Sequence, residues 1–514
     1  MDYRFVEDIY CCGDDHSYFV HAETIAQDFD FDYSNQLENV EGKVYINNNK
    51  IVPLGFVGTG ILSAPFMFIG IVIDRLLLNF QIFSSQIMSY KILLYSFSPI
   101  FYLIASFSLF SKILYKLNIE KKEPYVLLVI FGSGIHYYAF ERYSMTHVYE
   151  FFTTTLIMYL LVLFHSSKSA EKKYVAFLLP IAYLISFLVR YVNYFVFLIP
   201  FWIHKFVLQH KSEDRLIKNK YFLISSALSV LSFSAISFRM YGKVSFRPLL
   251  AYDKETFPLI SNYISYSSEG NNFIINNISN LIKIFTTQEF GIILFIPIVA
   301  VSIIYLVSDV LKNKQIDLFR NIIILLSIFM PIGLVLIWQT VASGFGMRYI
   351  YSIIPISLIV YFRLHTKSKK FSNSYLILFS IFSLFSVLFF ETSALSSLSD
   401  LDQMNSFGKV TRWAQPYYFS GVIKSFFSFD SYQIIFATSL FGSLVMKTFI
   451  NTMGIENFLN FLSTFGLDVT NYDVLRIFNN IESVDTHKIL FAFLVSIICT
   501  YWIYSILTKY DKIK

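Results

Sequence analysis

Eleven stretches of this chain are poor in charge and rich in Phe, Ile, Leu, Val and Ser over 15 to 21 residues. They are 91–111, 124–140, 146–165, 174–189, 191–208, 221–239, 289–308, 321–339, 348–362, 373–391 and 489–507. About 20 apolar residues in a helix cross the hydrocarbon core of a bilayer. Apart from closed barrels, only helices satisfy their backbone polar groups there. The predicted class is therefore an all-α polytopic membrane protein with about 11 transmembrane helices. Composition agrees: 55% of the 514 residues are hydrophobic and 15% charged, against about a quarter charged in soluble domains. A net charge of +6 is too small to suggest a nucleic-acid partner.

The loops alternate in charge. Segments 112–123, 165–173, 204–220, 309–320, 363–372 and 508–514 together hold 22 Lys and Arg against eight Asp and Glu; the remainder holds 19 against 27. Basic residues concentrate on the cytoplasmic side of membrane proteins. This set is therefore predicted to be cytoplasmic, in a multi-pass protein of the plasma or inner membrane. Residues 1–90, 240–288 and 392–488 are then placed outside and the C-terminus inside. Four parts follow: an outer acidic segment 1–90 with membrane-interface helices, a bundle 91–391, an outer segment 392–488 with amphipathic helices, and a last span and tail 489–514. Residues 51–73 carry four glycines and two prolines and read as an interfacial helix or hairpin. The apolar run 431–449 reads as amphipathic helix on the outer surface, because one more span would carry Lys509, Lys512 and Lys514 outside.

The first 50 residues hold eleven carboxylates against Arg4, Lys43 and Lys50. Moving such an end outward calls for a preceding helix, so an upstream helix absent from this sequence is expected. Cys11, Cys12 and Cys499 make no disulfide framework or thiolate metal site.

Ionisable side chains gather at the outer ends of the expected spans. Asp14 and Asp15 lie in the first segment, Glu141, Arg142, His147 and Glu150 in FERYSMTHVYE, Arg190 in FLVRYVNYF, and Arg348 in WQTVASGFGMRY. A proton relay or ion path would place them deeper; chemistry at the outer surface would place them here. Each has a plainer reading. Asp14 and Asp15 suit a solvated acidic loop, Arg142, Arg190 and Arg348 suit snorkelling helix anchors, His147 suits a polar helix start, and Glu141 suits a partner for Arg142.

Four blocks carry a resemblance. GDDHSYFVHAETIAQDFDFDYSNQ, GTGILSAPF, RYSMTHVYEFF and WQTVASGFGMRYIYSIIP resemble, in order and expected sidedness, the outer-loop blocks of polyprenyl-phosphate-dependent glycosyltransferases of the GT-C fold. They cover under a quarter of the chain. The resemblance implies transfer, with inversion, of a hexose or pentose from a polyprenyl-phosphate donor to a lipid, glycan or protein acceptor on the non-cytoplasmic face. Asp14 matches the first acidic position of the motif and is the candidate general base. Asp15 stands where Glu is commoner, to orient Asp14 or share its proton. Arg348, with Arg142 and Arg190, would hold phosphate, and Glu141 and His147 would line the substrate site. No cofactor motif is present, although some members of the fold use a divalent metal. The family's first helix has no counterpart here. Two other classes stay open: a polysaccharide polymerase or ligase, expected to use arginines in a large late outer loop, and a transporter or lipid flippase, expected to show intramembrane charges or repeats.

Overall fold

A computed structural model describes residues 13–37, 44–46, 50–79, 89–119, 122–166, 169–207, 216–252, 273–287, 290–312, 318–338, 345–364, 369–396, 418–467, 469–470 and 472–509. The protein is mostly helical, with one two-stranded antiparallel ribbon, β1 (Val44–Ile46) and β2 (Lys50–Val52).

Seven expected spans are single helices long and apolar enough to cross a bilayer. They are α4 (Tyr90–Lys116), α7 (His147–Ser166), α8 (Ser169–Val189), α10 (Lys220–Tyr241) and the helices Leu318–Trp338, Lys369–Ser396 and Thr486–Lys509. The other four differ from expectation. Residues 124–140 form α5 (Glu123–Phe131) and the single turn α6 (Tyr137–Phe140). Between them Gly134 has φ +84°, and a Cβ there would stand 2.4 Å from the Phe345 ring; left-handed backbone ends a helix at low cost only at glycine. Residues 191–208 and 348–362 begin as 3-10 turns (Asn193–Leu198, Arg348–Ile353) before the α-helices α9 (Ile199–Val207) and Ile354–Leu364. Residues 289–308 break between Phe295 and Pro297, where proline lacks the donor that would continue the helix. Hydropathy averaged over a span does not register such breaks, because the surrounding run stays apolar.

Of the two forms expected for residues 51–73, the helix is found and the hairpin is not: α3 (Gly58–Asn79) is one continuous helix, the eighth among the described residues that is long and apolar enough to cross a bilayer. It runs antiparallel to only the first half of α4: the Tyr102 hydroxyl donates to the Leu62 carbonyl at 2.9 Å, and the backbone N–H groups of Tyr90 and Lys91 donate to the Asp74 carboxylate at 2.7 and 3.0 Å. The Asp74 carboxylate thus caps α4 from a neighbouring helix, where the N–H groups of a first turn have no intrahelical partner. Tyr102 meets Tyr149 of α7 at 5.4 Å. The start of α7 is therefore level with the fourth turn of α4, and α3 rises past it.

The acidic N-terminal region is not an open loop where it is described. α1 (Gly13–Gln27), followed by the single turn α2 (Ser34–Leu37), is buried on two sides. Phe19, Ala22 and Ala26 pack with Ala64 and Met67 of α3 and with Tyr95, while Val20 packs with Tyr33, Val52, Phe56 and Val57. Such close approach needs glycine: a Cβ on Gly60 would stand 2.5 Å from the His21 Cβ, and one on Gly58 2.2 Å from the Val189 nitrogen. His21 spans the layers, with Nδ1 2.9 Å from the Tyr33 hydroxyl and Nε2 3.3 Å from the Leu54 carbonyl.

At its far end the bundle is basic. The Arg363 guanidinium donates to the Leu117 carbonyl at 2.8 Å, and the ammonium groups of Lys112 and Lys172 lie over the Tyr159 and Phe164 rings. Residues 418–483 form a smaller unit of short helices with its own core of Ala437, Ile450, Phe458, Leu467, Phe478 and Ile481.

Candidate functional site

The opposite end carries a cluster of buried charge where α1, the turn before α7, the start of α7, the end of α8 and the 3-10 turn at Arg348 meet. Arg142 lies in the irregular stretch after α6, and its guanidinium donates to Asp15 Oδ2 at 2.8 Å. The Asp15 side chain is 3% exposed, so burial forces it to hold a cationic partner.

One turn into α7, Glu150 is fully enclosed. It accepts from the Thr146 hydroxyl at 2.7 Å and from Arg190 Nη1 at 3.0 and 3.3 Å, and His147 Nδ1 lies 3.5 Å away. Arg190 directly follows α8, and its guanidinium lies over the Tyr349 ring at 4.5 Å. Arg348 is buried on its 3-10 turn, also packs on the Tyr349 ring, at 5.0 Å, and donates to the Tyr349 hydroxyl at 3.1 Å. Tyr349 thus bridges two guanidiniums, an arrangement that suits their planar, weakly hydrated faces. Tyr18, one helical turn after Asp15, acts electrostatically on Arg190.

Five of the residues singled out from sequence therefore converge: Asp15, Arg142, His147, Arg190 and Arg348. Asp14 is the second residue of α1, and its side chain lies outside the described residues. Glu141 is exposed at the end of α6 and makes no ion pair with Arg142; that guanidinium turns to Asp15 instead. The sequence reading gave no role to Glu150, Thr146, Tyr18 or Tyr349. Glu150 did carry a signal: a carboxylate within the first turn of an apolar run requires a buried cation, and Arg190 supplies it.

Beside the cluster a small cavity of about 10 Å³ is lined by Arg190, Val192, Asn193, Pro331, Leu334, Val335 and Tyr349, room for about one water. It is polar at the Arg190 end and apolar along the helix Leu318–Trp338. Among the described residues, no three His, Cys, Asp or Glu side chains come together as metal ligands would. Outside the spans, hydrogen bonds from Ser34 hold the Asp32 carboxyl below its usual range, and burial pushes the Tyr33 hydroxyl up.

No protein-family model, curated protein or solved structure matches the chain.

Proposed function

We propose that the protein is a membrane glycosyltransferase that moves a sugar from a polyprenyl-phosphate donor to an acceptor hydroxyl on the non-cytoplasmic face. One observation carries this reading: the four blocks that resemble the GT-C enzymes, spread over more than 300 residues, touch one another in turn. Asp15 of the first holds Arg142 of the third, His21 of the first abuts Gly60 of the second, and the ring of His147 in the third lies 5.8 Å from that of Tyr349 in the fourth.

In this reading Asp14, at the start of α1, takes the proton of the acceptor hydroxyl as its oxygen attacks the anomeric carbon. The bond from that carbon to the phosphate oxygen breaks, and polyprenyl phosphate leaves with the bonding electrons. Asp15, committed to Arg142, stays ionised and orients the start of α1 rather than carrying the proton. Arg348, which shares the Tyr349 ring with Arg190, offers guanidinium donors to the phosphate, where charge develops as the bond breaks. The apolar wall of Pro331, Leu334 and Val335 suits the first isoprene units of the donor. Because the cavity holds about one water, the contact between residues 190–193 and the helix Leu318–Trp338 must open to admit a headgroup.

The test is transfer of radiolabelled sugar from a panel of polyprenyl-phosphate sugars in membranes containing the protein. Wild type is expected to consume at least one donor, and Asp14→Asn at equal expression to lose about 100-fold or more of the rate. A mutant that matches wild type would remove Asp14 as the base. Consumption of no donor would overturn the assignment in favour of polymerisation, ligation or transport.

A further inference from the structure

Residues 418–467 hold only four charged side chains in fifty positions, Lys424, Asp430, Lys447 and Glu456, where a water-facing surface carries about a quarter or more. Of these, Lys447 is buried, with its ammonium donating to the Glu482 carbonyl. The unit already has a core, yet it shows a second apolar surface: Phe427 is 80% exposed, Phe429 65% and Phe441 60%. The unit packs directly on two long helices that are each apolar enough to cross a bilayer. Phe389, on Lys369–Ser396, packs on Phe426 and Tyr432 at 5.5 and 5.4 Å; Leu440 and Leu444 pack with Ile489 and Ala492 of Thr486–Lys509. Both flanking helices expose a row of large apolar residues, such as Leu378, Phe385, Leu494 and Ile498.

Between Thr438 and Leu440 the chain turns by 88°. Several polar groups at this break are satisfied within the protein. The Ser439 hydroxyl donates to the Phe436 carbonyl at 2.7 Å and accepts from the Gly442 N–H at 3.0 Å, and the Ser443 hydroxyl donates to the Ala437 carbonyl at 2.8 Å. A Cβ on Gly442 would stand 1.7 Å from the Phe436 oxygen, so the bend is built around a glycine. A helix break sealed in this way tolerates hydrocarbon around it; one that relied on water would not.

We propose that residues 418–467 form a re-entrant element whose aromatic face is seated among lipid acyl chains. This inference is independent of the glycosyltransferase reading. The test places single nitroxide labels at Phe427, Phe441, Leu494 and Glu456, with Cys11, Cys12 and Cys499 replaced by Ser, in the full chain reconstituted in phosphatidylcholine vesicles. The expected result is that oxygen relaxes the labels at Phe427 and Phe441 more than a water-soluble nickel chelate does, as at Leu494, with the reverse at Glu456. Dominance of the chelate at Phe427 and Phe441 would place the face in water and overturn the proposal. Exclusion of both reagents would also overturn it, showing a protein surface such as a second copy over the face. The unsubstituted protein gives an independent check: a photoactivatable fatty acid in the vesicles should label peptides within 423–453 as heavily as those within 490–508, and an unlabelled 423–453 would equally sink the idea.

Discussion

The Arg142 guanidinium reaches the Asp15 carboxylate at 2.8 Å across 127 positions of sequence, and Asp15 is the more deeply buried partner. The pair ties α1, whose N-terminal half reaches the charged cluster, to the turn that leads into α7.

Removing the cation while leaving the carboxylate is the costly change. Arg142→Ala is expected to destabilise the protein by about 3 kcal/mol, because a buried charge is left uncompensated. Asp15→Asn should cost less, since an amide oxygen still accepts from Arg142. Thermal unfolding of the purified protein in one detergent ranks the two, and the reverse order would show that the pair does not carry the attachment of α1.

Glu150 and Arg190 make the same argument at greater depth. Glu150→Ala strips Arg190 of its counter-ion and also loses the Thr146 hydrogen bond, for an expected cost of about 3–5 kcal/mol. Arg190→Lys keeps the charge but not the planar face over Tyr349. It should therefore retain part of the stability while weakening any phosphate-dependent activity more than stability. Equal losses in both measurements would mean that Arg190 serves the fold alone.

His21 sets a pH dependence. Burial lowers its pKa from 6.5 to about 3, so between those values the unfolded chain binds more protons than the folded one. Stability from this group is then fully present above about pH 6.5 and falls as pH drops toward 3, by up to about 1.4 kcal/mol per pH unit. Asp32, also held low, acts in the same direction only below the usual carboxylate range. His21→Gln keeps a donor and an acceptor and removes the titration. Melting temperature measured from pH 8 to 4 should therefore slope less steeply below pH 6.5 in the variant, and parallel curves would contradict the neutral buried imidazole.

Asp74 caps α4 from outside the helix. Asp74→Ala should cost about 1–2 kcal/mol, the range for loss of a helix cap, and Asp74→Asn less than that. Hydrogen exchange at the Tyr90 and Lys91 amides gives a local reading: both should exchange faster in the alanine variant while amides in the middle of α7 keep their rates.

Gly58→Ala would drive a methyl group into the Leu188–Val189 backbone. Backbone cannot swing aside as a side chain can, so α3 must move away from α8. The expected loss is about 1–3 kcal/mol, against almost none for Gly333→Ala in the helix Leu318–Trp338, where the backbone is helical and nothing lies within 4 Å of the added atom. Unfolding curves of the two variants side by side decide it.

Seven helices were legible because long apolar runs leave the backbone no alternative in a membrane. The failures have two causes. α1 reads as an open acidic segment because it is buried on two sides, so its apolar residues make no single stripe. At 124–140 and 289–308, hydropathy is continuous while the backbone is not, since the breaks are made by Gly134 and Pro297 and fixed by contact with Phe345 and its neighbours.

The same division runs through the site. Sequence by itself determined the helical membrane class, the position of most long helices, and the gathering of Asp15, Arg142, His147, Arg190 and Arg348 near helix ends, because each of these follows from the transfer energy of residues close together in the chain. Only the tertiary structure decided that Asp15 takes Arg142 rather than leaving it to Glu141, that Glu150 takes Arg190, and that Tyr349 is shared by two guanidiniums. A buried charge accepts whichever opposite charge the packing of distant helices brings within about 3 Å, and nothing local to the residue encodes that choice.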